Sequence, residues 1–548
     1  MEVKPLKKLL ESISMRPVAF GSCLIAFPLM IILSITYQDQ MFSVIGGFAG
    51  VTIFGGNSQN VTEFGDGPEY DSSWHANFSD DQLLGGLLAS GFNTKSCLSR
   101  YRSFRYRKSS PHKPSPYLLL KLRNYENLHK HCGPYTEAYN RTLETLNSSN
   151  FSSPAECKYM IWIGEAGLGN RILTTVSAFL YSLLTNRTLL VQHGPDMADL
   201  FCEPFLNTSW LLPADFPLKN EFEKVGREYP NTYGNMVKNH AIGSPISVLY
   251  LFLASGCNDF DKLFYCEEDQ AFLQKIPWLI MKSDEYFTPS FFLMPGFEHE
   301  LNQMFPDKET IFHHLGRYLL HPSNKAWGLI IRFYKSYLAN TDERIGMQIR
   351  VFNPKDTPFQ EVTEQILACT KQENLIPDVD KEHLVDVTTK NQTSTKAILI
   401  ASLYSEFYEN FKNMYWTFPT ITGETVEVVQ PSHETYQHFG DSMHNVKAWV
   451  EMNLLSMTDV LVTSSWSTFG YVAQGLGGLK PWILTRPEFW MNTDPACRRV
   501  MSMEPCLHIP PSFDCKTKVN ADMGNVVPYV QHCEDVTSGL KLVNNFTG

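Results

Sequence analysis

The chain has 548 residues, of which 43% are hydrophobic and 19% are charged, and its formal net charge is −11 with a pI near 5.8. This length suits two or three domains, and the composition is that of a globular protein rather than a disordered one. The acidic balance argues against a nucleic-acid-binding protein, which usually carries a basic field.

The N-terminal region contains a long run without charged side chains at residues 17–37. About 20 such residues span the hydrocarbon core of a membrane. A cleaved signal peptide and a buried helix are the alternatives, but a signal peptide has a shorter apolar region. Four basic residues precede the run and none follows it before Lys95. The positive-inside rule therefore predicts a single-pass type II protein with a cytoplasmic tail at 1–16.

Two further patterns agree with a lumenal location after the anchor. Eleven of the twelve cysteines lie beyond it, and an oxidising compartment favours disulfide bonds. Because eleven is odd, at least one thiol is expected to be free or to pair between two chains, as in a homodimer. Asn-X-Ser/Thr sequons also lie only beyond the anchor, and they predict glycosylation of Asn60, Asn77, Asn140, Asn147, Asn150, Asn186, Asn207, Asn391 and Asn545.

The segment at residues 38–82 is rich in Gly, Ser, Asn and Asp and is interpreted as a lumenal stem. A basic stretch follows at residues 100–108. Contact with an acidic partner or a polysaccharide is one interpretation of this stretch, and a solvated surface segment is favoured over it.

A βαβ unit is predicted next, with strands at residues 159–163 and 188–191 and a helix at residues 172–184. Residues 164–171 between the first strand and the helix form a Gly-rich turn. Its glycines would let a ligand approach the backbone, and the helix that follows would present free N–H groups to an anion. Position 172 is Ile, so the dinucleotide fingerprint lacks its third glycine and NAD is disfavoured. A tight turn without a ligand is the alternative.

The second half repeats the alternation of strands and helices. Strands are predicted near residues 345–351, 397–403, 426–429, 460–462 and 482–484, and helices at residues 445–457 and from Phe469. This order predicts an α/β fold with parallel sheets, in which two Rossmann-like domains enclose a ligand cleft. We assign residues 83–340 to an N-terminal, acceptor-side part and residues 341–548 to a donor-binding part with a Cys-containing C-terminal tail.

Two charged residues follow predicted strands. Arg350 stands at the end of its strand, where α/β proteins bind ligands, and an Arg can hold a diphosphate through two parallel hydrogen bonds. A surface ion pair is the alternative. Asp284 follows an apolar run and could take a proton from an acceptor hydroxyl. A helix cap or an exposed acid is the alternative for this residue.

A run of five hydroxyl residues among the six positions 463–468 follows a strand and leads into a helix. Such residues cap helices and bind anions there, and ordinary capping would account for one or two of them. No metal site is predicted. Two Asp-X-Asp pairs, at residues 259–261 and 378–380, are expected by chance in an acidic chain, and the adjacent His313 and His314 are interpreted as structural or exposed.

Several of these blocks resemble the plant xyloglucan-type α-1,2-fucosyltransferases, above all residues 167–171, 345–352 and 463–482. The resemblance runs from about Leu83 to the C-terminus. It implies a two-Rossmann-domain, GT-B-type glycosyltransferase of the Golgi that uses GDP-fucose, inverts the sugar carbon and needs no metal or other cofactor. The implied acceptor is a galactosyl residue of a cell-wall polysaccharide such as xyloglucan.

The resemblance also implies roles for single residues. Arg350 would bind the donor diphosphate, and Asp284 would be the base or would orient the acceptor. Gly169, Asn170 and Arg171 would lie near the donor or acceptor. The nucleotide would be cradled by Ser464, Ser465, Trp466, Ser467, Thr468, Phe469 and Gly470, where Ser465 replaces the Ala expected in close relatives.

Other functions stay open on the sequence alone. Fucosylation of arabinogalactan-protein glycans would use the same donor site with different acceptor loops. A glycoside hydrolase needs two carboxylates across the scissile bond, and no such pair stands out. A non-catalytic glycan-binding homologue is also considered, although such a protein has no use for a diphosphate pocket.

Overall fold

A computed structural model of the protein describes residues 79–144, 146, 155–243, 246–382, 394–485, 494–517, 519–524 and 526–544. The predicted anchor and most of the predicted stem lie outside these residues. Within the described ranges, no helix is both long and apolar enough to cross a membrane. The sequons outside these ranges are Asn60, Asn77, Asn147, Asn150, Asn391 and Asn545.

The first half is built on a four-stranded parallel sheet with strand order β2-β1-β4-β3. Apart from the last residue of β1, this central strand is fully buried, as expected for a parallel sheet covered on both faces. The strands are β1 (Tyr159–Gly164), β2 (Thr188–Gln192), β3 (Val248–Phe252) and β4 (Trp278–Ser283). The helices are α1 (Leu98–Arg102), α2 (Pro116–Cys132), α3 (Glu137–Glu144), α4 (Leu168–Thr185), α5 (Tyr233–Lys238), α6 (Glu267–Leu273), α7 (Thr288–Phe291), α8 (Pro295–Met304), α9 (Ile311–Leu319) and α10 (Asn324–Tyr337).

The second half is built on a six-stranded sheet with strand order β10-β9-β8-β5-β6-β7. Neighbouring strands run parallel except β10, which pairs antiparallel with β9. The strands are β5 (Glu343–Ile349), β6 (Thr395–Ser402), β7 (Thr425–Val429), β8 (Val460–Ser464), β9 (Trp482–Leu484) and β10 (Cys497–Arg499). The helices are α11 (Phe359–Gln372), α12 (Glu406–Thr417), α13 (Ser442–Leu455) and α14 (Thr468–Gly477).

One apolar cluster extends through both halves. It contains Met160 and Trp162 from β1, Leu399 from β6 and Trp449 from α13, all fully buried. The intervening residues of these strands point to the other face of their sheets and belong to separate clusters, as the period of two along a strand requires. Each sheet is therefore covered on both faces, and the α/β class with two Rossmann-like sheets is confirmed.

The Gly-rich segment differs from its prediction. The helix begins at Leu168 and not at residue 172, so Gly169, Asn170 and Arg171 form its first turn. Glycine inside a helix costs about 1 kcal/mol relative to alanine, which is why the sequence favoured a turn. A close tertiary contact between Gly169 and Thr468 overrides that local preference.

The basic stretch at residues 100–108 is also not simply a solvated segment. Arg100 is buried, and its guanidinium lies 3.6 Å from the ring centroid of Phe92. Arg107 donates to the carbonyl oxygen of Leu476 over 3.0 Å and to Asn453 Oδ1 over 3.2 Å. The favoured interpretation is wrong for these two residues because tertiary partners, invisible in composition, hold the guanidinium groups.

The C-terminal segment packs against the first half, although it follows the second sheet in the chain. It forms two antiparallel hairpins, β11 (Phe513–Asp514) with β12 (Val519–Asn520) and β13 (Val530–His532) with β14 (Leu540–Leu542). Tyr286 donates to Glu504 Oε2 over 2.7 Å, and the rings of Phe292 and Tyr529 lie 5.9 Å apart. The chain therefore returns to the first sheet after completing the second.

Disulfide bonds join distant parts of the described chain. Cys257 is the free cysteine of this part, in agreement with the odd number expected beyond the anchor. The bonded pairs are Cys97–Cys202, Cys132–Cys157, Cys266–Cys515, Cys369–Cys497 and Cys506–Cys533. The Cys266–Cys515 bond spans 249 residues and ties the C-terminal segment to the first half.

Removal of that bond is expected to destabilise the protein. Replacing Cys266 and Cys515 together with serine should lower the free energy of unfolding by about 2–4 kcal/mol, the usual effect of a native disulfide. The shift of the urea unfolding midpoint measures this loss. Cys257→Ser is the matched control and should leave the midpoint unchanged. An unchanged midpoint in the double variant would show that the bond contributes no stability.

Candidate active site

A cavity of about 520 Å³ lies between the two halves. Its walls come from the segments that follow the carboxyl ends of strands in both sheets, including residues 166–170 after β1, 348–350 at the end of β5 and 401–403 at the end of β6. Ligands of α/β proteins bind at this edge of a parallel sheet. The cavity is therefore the candidate active site.

Two helix N-termini meet at this cavity. Gly169 in the first turn of α4 lies against the start of α14, because a Cβ on Gly169 would be 2.6 Å from Thr468 Oγ1 and 2.9 Å from the Thr468 carbonyl carbon. Thr468 Oγ1 also donates to Asn170 Oδ1 over 3.0 Å. No side chain caps either helix at Gly167 or Ser467. Free N–H groups and the positive ends of two helix dipoles thus converge where an anion would bind.

Arg350 is the cation of this cavity that lacks an acidic partner among the described residues. It follows β5 directly, and its Nη2 donates to Gln437 Oε1 over 3.4 Å. The guanidinium also lies 5.3 Å from the ring centroid of Phe352. Burial lowers the pKa of Arg350 below its usual value, but an arginine stays protonated at neutral pH. The arrangement leaves a positive charge available for an anionic ligand.

The hydroxyl-rich segment divides into two parts. Trp466, Ser467, Thr468 and Phe469 line the cavity. Ser464 and Ser465 do not, since both are buried against backbone. Ser464 Oγ accepts from the Arg350 backbone N–H over 2.9 Å, and Ser465 Oγ donates to the Leu484 carbonyl oxygen.

Gly470 lies within α14 and also does not line the cavity. A Cβ at this position would lie 3.2 Å from Gln348 Oε1. Four of the seven residues predicted to cradle a nucleotide therefore face the cavity, while Ser464 holds the backbone of Arg350.

Arg171 does not line the cavity. Its Nη1 is 2.8 Å from Asp196 Oδ2, and Asn445 Nδ2 donates to the same oxygen over 2.8 Å. This cluster, in which Asp196 and Asn445 are buried, links α4 of the first half with α13 of the second. Asn170, by contrast, does line the cavity, and its Nδ2 donates to the carbonyl oxygen of Asp284 over 2.9 Å.

Asp284 follows β4 directly, as predicted, but its carboxylate is not part of the cavity wall. The carboxylate accepts from the backbone N–H and the hydroxyl of Ser255 over 2.7 and 2.5 Å. Its neighbour Glu285 is a second acid at this position. Burial, and then the charge of Asp284, raise the pKa of Glu285 to about 8, so this group is mostly a neutral acid at pH 7.

A further part of the cavity wall was not predicted from the sequence. It comes from the loop after β7 and from α13, and includes Ser432, Glu434, Gln437, Lys447 and Glu451. Ser432 Oγ donates to Glu451 Oε1 over 2.6 Å, and burial raises the pKa of Glu451 to about 8. The sequence indicated this part of the wall only through its position, because the loop follows a strand of the predicted parallel sheet.

Comparison with known proteins places this geometry in a family. The chain matches the family described as xyloglucan fucosyltransferase over residues 57–516. It is 53% identical over 530 residues to an Arabidopsis thaliana galactoside 2-alpha-L-fucosyltransferase, with 96% of this chain and 92% of that protein covered. A Pisum sativum protein of the same name is 57% identical over 468 residues, with 85% and 83% covered.

A solved structure shares the fold. The structure of an Arabidopsis thaliana FUT1 mutant in complex with GDP is 56% identical, has a TM-score of 0.79, and covers 84% of this chain and 100% of that one. The predicted GT-B-type arrangement of the catalytic region agrees with this similarity. On the match to most of its length and on identities above 50%, the chain belongs to the xyloglucan fucosyltransferase family.

Proposed function

We propose that this protein, a fucosyltransferase by family, transfers L-fucose from GDP-fucose to a galactosyl residue of a cell-wall polysaccharide such as xyloglucan, with α-1,2 linkage. The observation that carries the proposal is the position of Arg350, which faces a cavity where two helix N-termini converge. The names of the relatives, which are galactoside 2-alpha-L-fucosyltransferases, support the linkage and the acceptor class.

The donor site would act mainly on the leaving group. As the bond between the fucosyl C1 and the phosphate oxygen breaks, its electron pair and the negative charge move onto GDP. Arg350 and the N–H groups at the starts of α4 and α14 are placed to stabilise that charge without reorganising during the reaction. A divalent metal ion would then not be needed for this part of the chemistry.

The acceptor would attack from the opposite side, so that the sugar carbon inverts. The galactosyl O2 forms a new bond to C1, and its proton passes to a base. Asp284 is our candidate for this base, or for the group that orients the acceptor. Its support is that its backbone lies next to the cavity, since Asp284 follows β4 and the cavity-lining Asn170 donates to its carbonyl oxygen. To act on the acceptor, its carboxylate would have to turn from Ser255 toward the cavity.

Removing the Asp284 charge is expected to lower kcat by about 10²–10⁴-fold, the range for loss of a general base. Initial rates of Asp284→Asn at saturating donor and acceptor measure the effect, and the affinity for GDP should stay unchanged. Asp259→Asn is the matched control, since Asp259 is exposed and pairs with Lys262. A full rate in Asp284→Asn would show that Asp284 is not the base.

We also propose that the catalytic region lies in the Golgi lumen behind a type II membrane anchor. The disulfide bonds support an oxidising compartment, and the sequon residues Asn140, Asn186 and Asn207 are all exposed. Protease treatment of sealed Golgi vesicles tests this proposal. The catalytic region should be digested only after detergent is added, and digestion of intact vesicles would contradict it.

An acceptor panel tests the transferase activity. The full-length chain in detergent would be incubated with labelled GDP-fucose and EDTA, together with xyloglucan before and after galactosidase treatment, or with arabinogalactan protein. Label should enter galactosylated xyloglucan in α-1,2 linkage and should be lost when galactose is removed. Transfer only to arabinogalactan protein would change the acceptor, and no transfer to any acceptor would favour a non-catalytic glycan-binding role.

A further inference from the structure

Three side chains that commonly bind metal ions meet in the wall of the cavity, which Glu434 and His444 line. Glu434 Oε2 lies 3.8 Å from His438 Nε2 and 4.0 Å from His444 Nδ1. The two imidazole rings are 5.2 Å apart between centroids, and the three donor atoms all lie within 4.8 Å of one another. Donor atoms of a tetrahedral zinc site are roughly 3.4 Å apart, given bonds of about 2.1 Å. Small side-chain rotations would therefore close the cluster around an ion.

We propose that Glu434, His438 and His444 form a binding site for Zn²⁺, a function beyond the proposed transfer of fucose. Two neutral imidazoles and one carboxylate, with water as the fourth ligand, are a usual ligand set for zinc in proteins. Mg²⁺ and Ca²⁺ prefer sites made of oxygen atoms, so they would bind poorly here.

The contacts around the cluster hold each ligand in place. Glu434 Oε1 pairs with Lys447 Nζ, which leaves Oε2 directed at the two histidines. The ring of His438 packs against that of Tyr436 in a tilted arrangement, with 4.0 Å between the ring centroids. His444 lies in the first turn of α13, where its backbone N–H donates to Asp441 Oδ1 over 2.7 Å. Such supporting contacts fix the orientation of metal ligands.

The existing contacts do not use up the ligand atoms. At 3.8 and 4.0 Å, the two histidine–glutamate distances are too long for hydrogen bonds. His444 Nδ1 is buried and has no hydrogen-bond partner, which is unfavourable unless another species completes it. His438 Nε2 lies 3.4 Å from the Glu434 carbonyl oxygen, a weak contact that metal binding would replace. An ion in the cluster would satisfy all three side chains.

Calorimetric titration with ZnCl₂ tests the site. The full-length chain in detergent, treated with EDTA and dialysed, should bind one equivalent of Zn²⁺ at this cluster. His438→Gln and His444→Gln should each weaken that binding by about tenfold or more. His433→Gln is the matched control, because His433 is exposed in the same loop and outside the cluster. Excess Mg²⁺ should not compete.

A spectroscopic measurement separates binding here from binding elsewhere on the chain. Co²⁺ should give the visible absorption of a tetrahedral site in the wild type and in His433→Gln, and should lose it in His438→Gln. Equal Zn²⁺ affinity in all four proteins, or an absent Co²⁺ signal, would overturn the proposal. A thermal unfolding midpoint equal to that of the wild type would show that each variant is folded. Neither titration uses donor or acceptor, so its failure would leave the proposed transferase activity intact.

Discussion

Arg350→Ala is expected to lower kcat/KM for fucosyl transfer by about 10²–10³-fold, comparable with the loss of one pre-organised donor to a developing negative charge. The guanidinium faces the cavity, and none of the described carboxylates neutralises it. Its removal leaves the leaving GDP with the N–H groups of two helix N-termini as the remaining stabilising groups. The effect should therefore appear at the chemical step as well as in donor affinity.

Initial rates with labelled GDP-fucose and galactosylated xyloglucan measure this effect. Arg350→Lys should recover only part of the rate, because lysine keeps the charge but not the two parallel hydrogen bonds. Arg332→Ala is the matched control, since Arg332 is exposed on α10. A wild-type rate of transfer in Arg350→Ala would show that the donor diphosphate does not bind at Arg350.

Gly169→Ala is expected to lower the rate of transfer by about 10²-fold, although it adds a single methyl group. The new Cβ would lie 2.6 Å from Thr468 Oγ1, 2.9 Å from the Thr468 carbonyl carbon and 3.0 Å from the Phe469 nitrogen. Two of these atoms are backbone, so the starts of α4 and α14 must move apart. A displacement of about 1 Å at reacting groups can cost 10²-fold in rate.

The same substitution should also destabilise the fold, by about 1–3 kcal/mol, as overpacking usually does. Measurements of kcat and of the thermal unfolding midpoint check both effects. Gly226→Ala is the matched control, because the nearest atom to a Cβ there is the Lys224 carbonyl oxygen at 3.9 Å. Wild-type activity and stability in Gly169→Ala would mean that the two helix N-termini need not lie so close.

The sheets could be predicted because their strands have a strong local pattern. The apolar runs of β1 and β8 and the alternating apolar residues of β5 are visible in the sequence, and the position of Arg350 follows from the end of that alternation. The same reasoning placed Asp284 after β4. In a parallel sheet the topology brings the residues after each strand to the same edge, so both positions were accessible without a structure.

The direction in which a side chain points could not be predicted in this way. Arg171 and Arg350 were both predicted to lie near the donor or the acceptor. In the structure, Arg171 pairs with Asp196, while Arg350 faces the cavity. The partner that decides the case lies 25 residues away from Arg171 in the chain. Likewise, the carboxylate of Asp284 is held by Ser255, whose loop has no periodic pattern. Long-range partners of this kind leave no local signal.

We place the guanosine diphosphate of the donor in the cavity at Arg350, and calorimetric titration of GDP against the full-length chain is the decisive experiment. We predict that GDP binds to the wild-type protein, that UDP does not bind measurably, and that Arg350→Ala weakens GDP binding by about tenfold or more, as expected for loss of a charged hydrogen-bonded partner. Equal GDP affinity in the wild type and in Arg350→Ala would show that the diphosphate does not bind at Arg350.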